Sequence, residues 1–266
     1  MFKKNFLLIV LSIILYQSSV FSKSTSLKDF NSKNLSKYFS GIVAFENKNN
    51  TKALDFFKSS KILINKHNPY LERLVLSLVL EDKVTQAINI VKANNKKKST
   101  EFFESYILLI LDSLKKNNII KAKNIFAKIP GFLQEDRLNF IILNSLKQYI
   151  DVFNSKKINE NFQKFGNLSI ISETFQRCYL DDESTESFFT RLINNPQADY
   201  SRYIYFYLSY LIEKNKISEA NLITDELDYI NTTLLLSQGK SWIDKGDYNE
   251  FGKVFSCSNH NDILGE

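Results

Sequence analysis

Proline, glycine, cysteine and histidine are all scarce in this chain of 266 residues, which has three Pro, seven Gly, two Cys and two His. So few turn formers exclude an all-β fold dense in tight turns and favour helices. The two histidines, His67 and His260, have no Cys, His, Asp or Glu neighbours at metal-ligand spacing, so no metal is expected and both read as solvated loop residues. There is no Gly-rich phosphate loop and no nucleophile elbow, and no pattern brings Ser, His and an acid together. The expectation is no catalytic residue, no cofactor and no enzyme. Neither sign of charge dominates, with 35 Lys and Arg against 29 Asp and Glu. That balance gives no reason to expect nucleic acid as a partner. What is abundant is apolar material, 44% hydrophobic and 14% aromatic, enough for a sizeable core and too much for general disorder.

Residues Met1 to Ser22 have the layout of a secretory signal peptide: Lys3 and Lys4, an apolar run from Phe6 to Tyr16, and a Val20-Phe21-Ser22 exit. A helix over that run would rise only about 16 Å, against a hydrocarbon core of about 30 Å. Cleavage is therefore expected rather than a stable membrane span, and no Cys follows that could carry a lipid. The reading is an exported protein of the periplasm or cell envelope, with residues 23–34 as a polar linker. Export permits a disulfide between Cys178 and Cys257. The register below puts them two repeats apart, however. Neighbouring helices lie about 8–10 Å apart and a bridge needs Cα atoms within about 7 Å, so two buried free thiols are expected.

The stretch Tyr38 to Ser60 sets the pattern for the rest. Gly41, Ala53 and Phe57 flank a polar Asn-Lys-Asn-Asn break, which reads as two short helices joined by a turn. A helical glycine costs about 1 kcal/mol relative to alanine, so Gly41 implies a second helix crossing close above it. Shifting by 34 residues finds Leu74, Leu78, a break at Glu81-Asp82-Lys83, then Ala87 and Val91. A further 35 finds Leu109, Ile110, a break at Lys115 to Asn118, then Ala122 and Phe126. Beyond Pro130-Gly131 one helix is expected from Glu135 to Phe153 with a return through Phe162 and Phe165. Pairs then follow at Ile170–Leu180 with Phe188–Ile193, and at Tyr200–Glu213 with Ile217–Thr224. The last has Leu235, Gly239 and Trp242 before Tyr248 and Phe251. Taking Gly41, Val75, Ile110, Tyr149, Phe175, Leu208 and Gly239 as one slot, the step averages 33 residues. Pro69, Pro130 and Pro196 all fall at junctions between units, where proline does least harm.

Gly41, Ala53 and Phe57, Leu74, Ala87 and Val91, Leu109, Ala122 and Phe126, Ala220, Gly239, Gly246 and Tyr248 together resemble tetratricopeptide repeats, 34-residue helix-turn-helix units. With its exported start, the chain looks like the repeat-containing envelope proteins of Gram-negative bacteria. The resemblance implies an all-α, right-handed α-α superhelix of about seven units: repeats 1–3 over 35–130, degenerate repeats 4–5 over 131–196, and repeats 6–7 over 197–266. It departs from the family at Lys37 and Lys48, and at Asn161, Ser187 and Phe251 where alanine is usual. Ile263-Leu264 would open a further helix, so a longer protein is expected.

The resemblance also implies that first helices line a concave groove for a partner protein or peptide. Its exposed positions here would be Tyr38, Ile42 and Phe45; Glu72, Leu76 and Val79; Ile107, Leu111 and Leu114; and Tyr205, Ser209 and Ile212. Most are apolar, as a binding surface would be. Two other functions stay open at this point. One is an accessory arm of a cell-wall enzyme whose catalytic domain lies beyond Glu266, and the other is saccharide binding through the tyrosines between Tyr200 and Tyr210. The acidic run Asp181-Asp182-Glu183 and the basic run Lys96-Lys97-Lys98 read as solvated turns.

Overall fold

The computed structural model describes residues 31–95, 97–159, 164–195, 201–227 and 233–257. Met1 to Ser22, expected to be a signal peptide, lie outside them, as do Pro196 and His260. The described residues form thirteen α-helices and no strand, so the fold is all-α. The helices are α1 (Ser32–Glu46), α2 (Asn50–Ser59), α3 (Asn68–Leu80), α4 (Val84–Asn94), α5 (Phe103–Lys115), α6 (Ile119–Phe126) and α7 (Arg137–Ser155). They continue with α8 (Asn167–Leu180), α9 (Thr185–Ile193), α10 (Ser201–Glu213), α11 (Ile217–Asp225), α12 (Leu234–Lys245) and α13 (Asn249–Val254). The chain divides into two compact units, one ending at Asp82 and one beginning at Lys83.

One turn device recurs along the sequence. Lys48, Asp82, Asn117, Lys156, Asp181, Asn215 and Gly246 all have positive φ, separated by 34, 35, 39, 25, 34 and 31 residues. Five of these turns close in the same way, the residue after the left-handed one donating its N–H to a carbonyl five residues back. The pairs are Asn49 to Ala44 (2.9 Å), Asn118 to Ser113 (2.8 Å), Asp182 to Arg177 (3.0 Å), Lys216 to Leu211 (2.8 Å) and Asp247 to Trp242 (2.8 Å). These bonds satisfy carbonyls that a helix end would otherwise leave bare. Two turns then start the next helix by the same means: Asn49 and Asn118 accept from the N–H groups of Lys52 and Lys121 at 3.2 and 3.0 Å. Asn31 caps α1 likewise, so residues 32–34 belong to the helix and not to the linker.

In the N-terminal unit, Gly41 has the predicted reason to be glycine. A Cβ there would lie 2.7 Å from Cε1 of Phe57, and Phe57 and Ala53 of α2 are wholly buried. Phe57, Tyr38 and Tyr70 form a ring cluster with centroids 5.8–6.4 Å apart. The Tyr70 hydroxyl donates to the Phe57 carbonyl at 2.5 Å, and its burial raises its pKa well above the phenolic range. His67, expected to be solvated, is half-buried with its ring edge-on to Tyr38 at 4.8 Å.

The second unit has two cores, one around Ile110, Leu114, Ala122, Leu143 and Ile150, the other around Phe189, Tyr205, Leu208, Leu211 and Phe251. Between them the expected return helix through Phe162 and Phe165 is not found in the described part. Phe165 is non-helical: its ring meets Phe140 edge-on at 6.1 Å and its N–H donates to Ser169 Oγ at 2.5 Å. Phe162 lies outside the described residues.

The expectation of free thiols is overturned. Cys178 of α8 and Cys257 form a disulfide with Cα atoms 5.0 Å apart. The two-repeat offset assumed that the chain after α13 follows the stack. Instead Phe255 is extended, with φ −154° and ψ 138°, and the segment runs back over α10 to α8.

Candidate functional site

In the N-terminal unit, Glu72, Leu76 and Val79 fall on one stripe of α3 by helical spacing, as Ile42 and Phe45 do on α1. The Arg73 guanidinium lies over the Phe45 ring, 5.3 Å from its centroid, and 3.8 Å from Glu46, so the two faces adjoin. Ile42, Phe45, Glu72, Leu76 and Val79 are all half-buried. Tyr38 is 3% exposed and belongs to the core rather than to the surface. Burial raises its pKa, Arg73 partly offsets this and Glu72 adds to it.

In the second unit, Ile107 and Leu111 are half-buried on α5, whereas Leu114 is a core residue. Beside them Asp112 accepts from Lys92 at 2.6 Å and from Lys116 at 2.7 Å, tying α4 to α5. Burial pushes the Asp112 carboxyl up, but the two lysines outweigh it and hold it below the usual carboxylate range. On α10, Tyr205 and Ser209 are buried and Ile212 is half-buried. Four of the twelve expected groove positions are therefore inside: Tyr38, Leu114 and Tyr205 pack against neighbouring helices, and Ser209 lies under the extended Phe255 segment.

The tyrosine helix is committed to packing. Tyr205 stacks on Phe251 and Tyr207 on Phe189, each at 5.5 Å, and Tyr210 tilts against Phe189 at 5.6 Å. Burial pushes the Tyr205 hydroxyl up to about 12. Tyr200 lies outside the described residues. Two carboxylates of the acidic run are paired locally: Arg177, which also donates to Glu173 at 2.7 Å, donates to Asp182 at 3.1 Å, and Lys214 pairs with Asp181. Among the described residues no group of three His, Cys, Asp or Glu is placed to hold a metal ion, and no helix is long and apolar enough to cross a membrane.

One surface escaped the sequence reading. Phe39 and Val43 of α1 are 58% and 60% exposed. With Phe56, Ser40 and Lys52 they line an open cleft of about 660 Å³ between α1 and α2. The signal is in the spacing, since Phe39 and Val43 are four apart, but the repeat pattern assigns Tyr38, Gly41, Ile42 and Phe45 of α1 and leaves these two without a role.

No protein-family model, curated protein or solved structure matches this chain.

Proposed function

We propose that the chain is a non-catalytic scaffold of tetratricopeptide-like helical hairpins that holds a partner protein or peptide in the periplasm or cell envelope. The carrying observation is the strip of Ile42, Phe45, Leu76 and Val79, apolar side chains left partly in water on the adjoining faces of α1 and α3. Contiguous apolar surface of this kind is commonly a binding site, and a helix or extended segment fits such a face. The recurring left-handed turn supports the repeat reading. The disulfide supports export, because such bonds persist in oxidising compartments.

The reading is tested by a pull-down from envelope extracts with the native chain and with Leu76→Glu. Capture of a defined partner should be lost in the variant while far-UV circular dichroism stays helical. Undiminished capture by a folded Leu76→Glu chain would show that this face is not the binding surface.

A further inference from the structure

The segment Phe255–Cys257 is held as a bound peptide would be. The Phe255 ring lies edge-on against Phe175 of α8 at 5.7 Å and Phe206 of α10 at 5.0 Å. Ser209 Oγ donates to the Phe255 carbonyl at 2.7 Å. Glu213 Oε2 accepts from the Cys257 N–H at 2.9 Å and from the Ser256 hydroxyl at 3.0 Å. Phe206, Ser209 and Glu213 share one face of α10 by helical spacing, and Ser209 is among the expected groove positions. An aromatic pocket, a donor for a main-chain carbonyl and an acceptor for a main-chain amide are what an extended peptide needs for recognition.

We propose that Phe255–Cys257 is a built-in occupant of the α8/α10 face, that this face receives an extended peptide with an aromatic side chain from a partner, and that the Cys178–Cys257 bond keeps the partner out. The inference rests on the scaffold reading above. A ligand joined to its own site competes at an effective concentration of order millimolar, and the disulfide removes even the option of leaving. Release takes a dithiol reductant. Its thiolate attacks one sulfur to give a mixed disulfide, and its second thiol displaces the cysteine. The reductant ends as a disulfide, and Cys178 and Cys257 end as two thiols. Both cysteines are buried, at 2% and 6% exposure, so the attack follows a lifting of the segment.

The probe is a fluorescein-labelled peptide with the sequence of residues 253–258 and serine at the position of Cys257, titrated by fluorescence anisotropy into the full chain. The oxidised native chain should not bind it. The chain carrying Cys178→Ser, Cys257→Ser and Phe255→Ala should bind at least about tenfold more tightly, a peptide with alanine for phenylalanine should not bind, and adding Ser209→Ala should weaken binding. As a second reading, dithiothreitol on the native chain should speed amide exchange in residues 255–257 and α10 while far-UV helicity is kept. Equal binding by oxidised and opened chains, no binding by an opened chain that is still helical, or loss of helicity on reduction would each overturn the proposal. Capture through Leu76 is a separate measurement, so failure here leaves the scaffold reading standing, and loss of the Leu76 surface leaves peptide binding to α10 unchanged.

Discussion

The helix pairs α1–α2 and α12–α13 both place a glycine beneath an aromatic ring, yet they obtain the ring differently. Over Gly41 it comes from Phe57, on the second helix of the same pair. Over Gly239 the nearest atoms belong to Tyr205 of α10, 3.1 Å from a Cβ, and then to Phe251 of α13, 3.4 Å away. The first pair meets its own demand for close packing. The last draws on another element, with Phe251 in the slot that Ala53, Ala87 and Ala122 fill elsewhere, and its region is further closed by the Cys178–Cys257 bond. A small residue thus announces a close approach without saying what approaches.

The largest expected effect breaks the covalent side of this contrast. Cys178→Ser should lower the stability of the α8–α13 region by about 2–4 kcal/mol, and amide exchange resolved by segment should show no change in α1–α3. A loss shared equally by both regions would mean that the bond does not act locally.

The two glycines separate next. Gly41→Ala forces a methyl group within 2.7 Å of a fully buried ring. Overpacking of about 2–3 kcal/mol, less about 1 kcal/mol of helix propensity, gives a net loss of about 1–2 kcal/mol in urea unfolding. Gly239→Ala meets its neighbours at 3.1 Å or more, so the same two effects nearly cancel and the change should stay within about 0.5 kcal/mol.

Charge does for α4 and α5 part of what the disulfide does further on. Because the folded-state pKa of Asp112 is depressed, its contribution is present above the ordinary carboxylate pKa and is lost as pH falls through the lower folded value. Asp112→Asn should cost about 1–2 kcal/mol at neutral pH, and the gap from the native chain should close in acid. A gap that persists in acid would assign the loss to packing instead.

The turns give the last contrast. Asn117 and Asn215 hold positive φ where the last pair has Gly246. Asn117→Gly should stabilise by about 0.5 kcal/mol and Gly246→Ala should destabilise by about 1 kcal/mol, read as shifts in urea midpoint.

The helical pairs were legible because small residues, polar breaks and prolines all mark places where backbones meet or stop. Gly41 beneath Phe57, the burial of Ala53, Ala87, Ala122 and Ala220, and Pro69 at the start of α3 all follow from local rules. The unit after α7 was misread because Phe162 and Phe165 have helical spacing, whereas Phe165 packs on Phe140 from a non-helical segment. The disulfide was missed for a related reason: a fixed step per repeat cannot anticipate a segment that doubles back. The exposure of the expected groove positions was legible only in part. Position in the repeat placed Ile42, Phe45, Leu76 and Val79 at the surface, but it could not show that Tyr38, Leu114, Tyr205 and Ser209 would be covered by neighbouring side chains.

The scaffold account is tested most directly by a photo-crosslinking amino acid placed at Leu76 in the native cell, with the same probe at Leu222, 65% exposed on α11, as control. The account predicts one discrete protein adduct from position 76 that disappears when Ile42→Glu is added, and none from position 222. No adduct from position 76, or the same adduct from both positions, would contradict it.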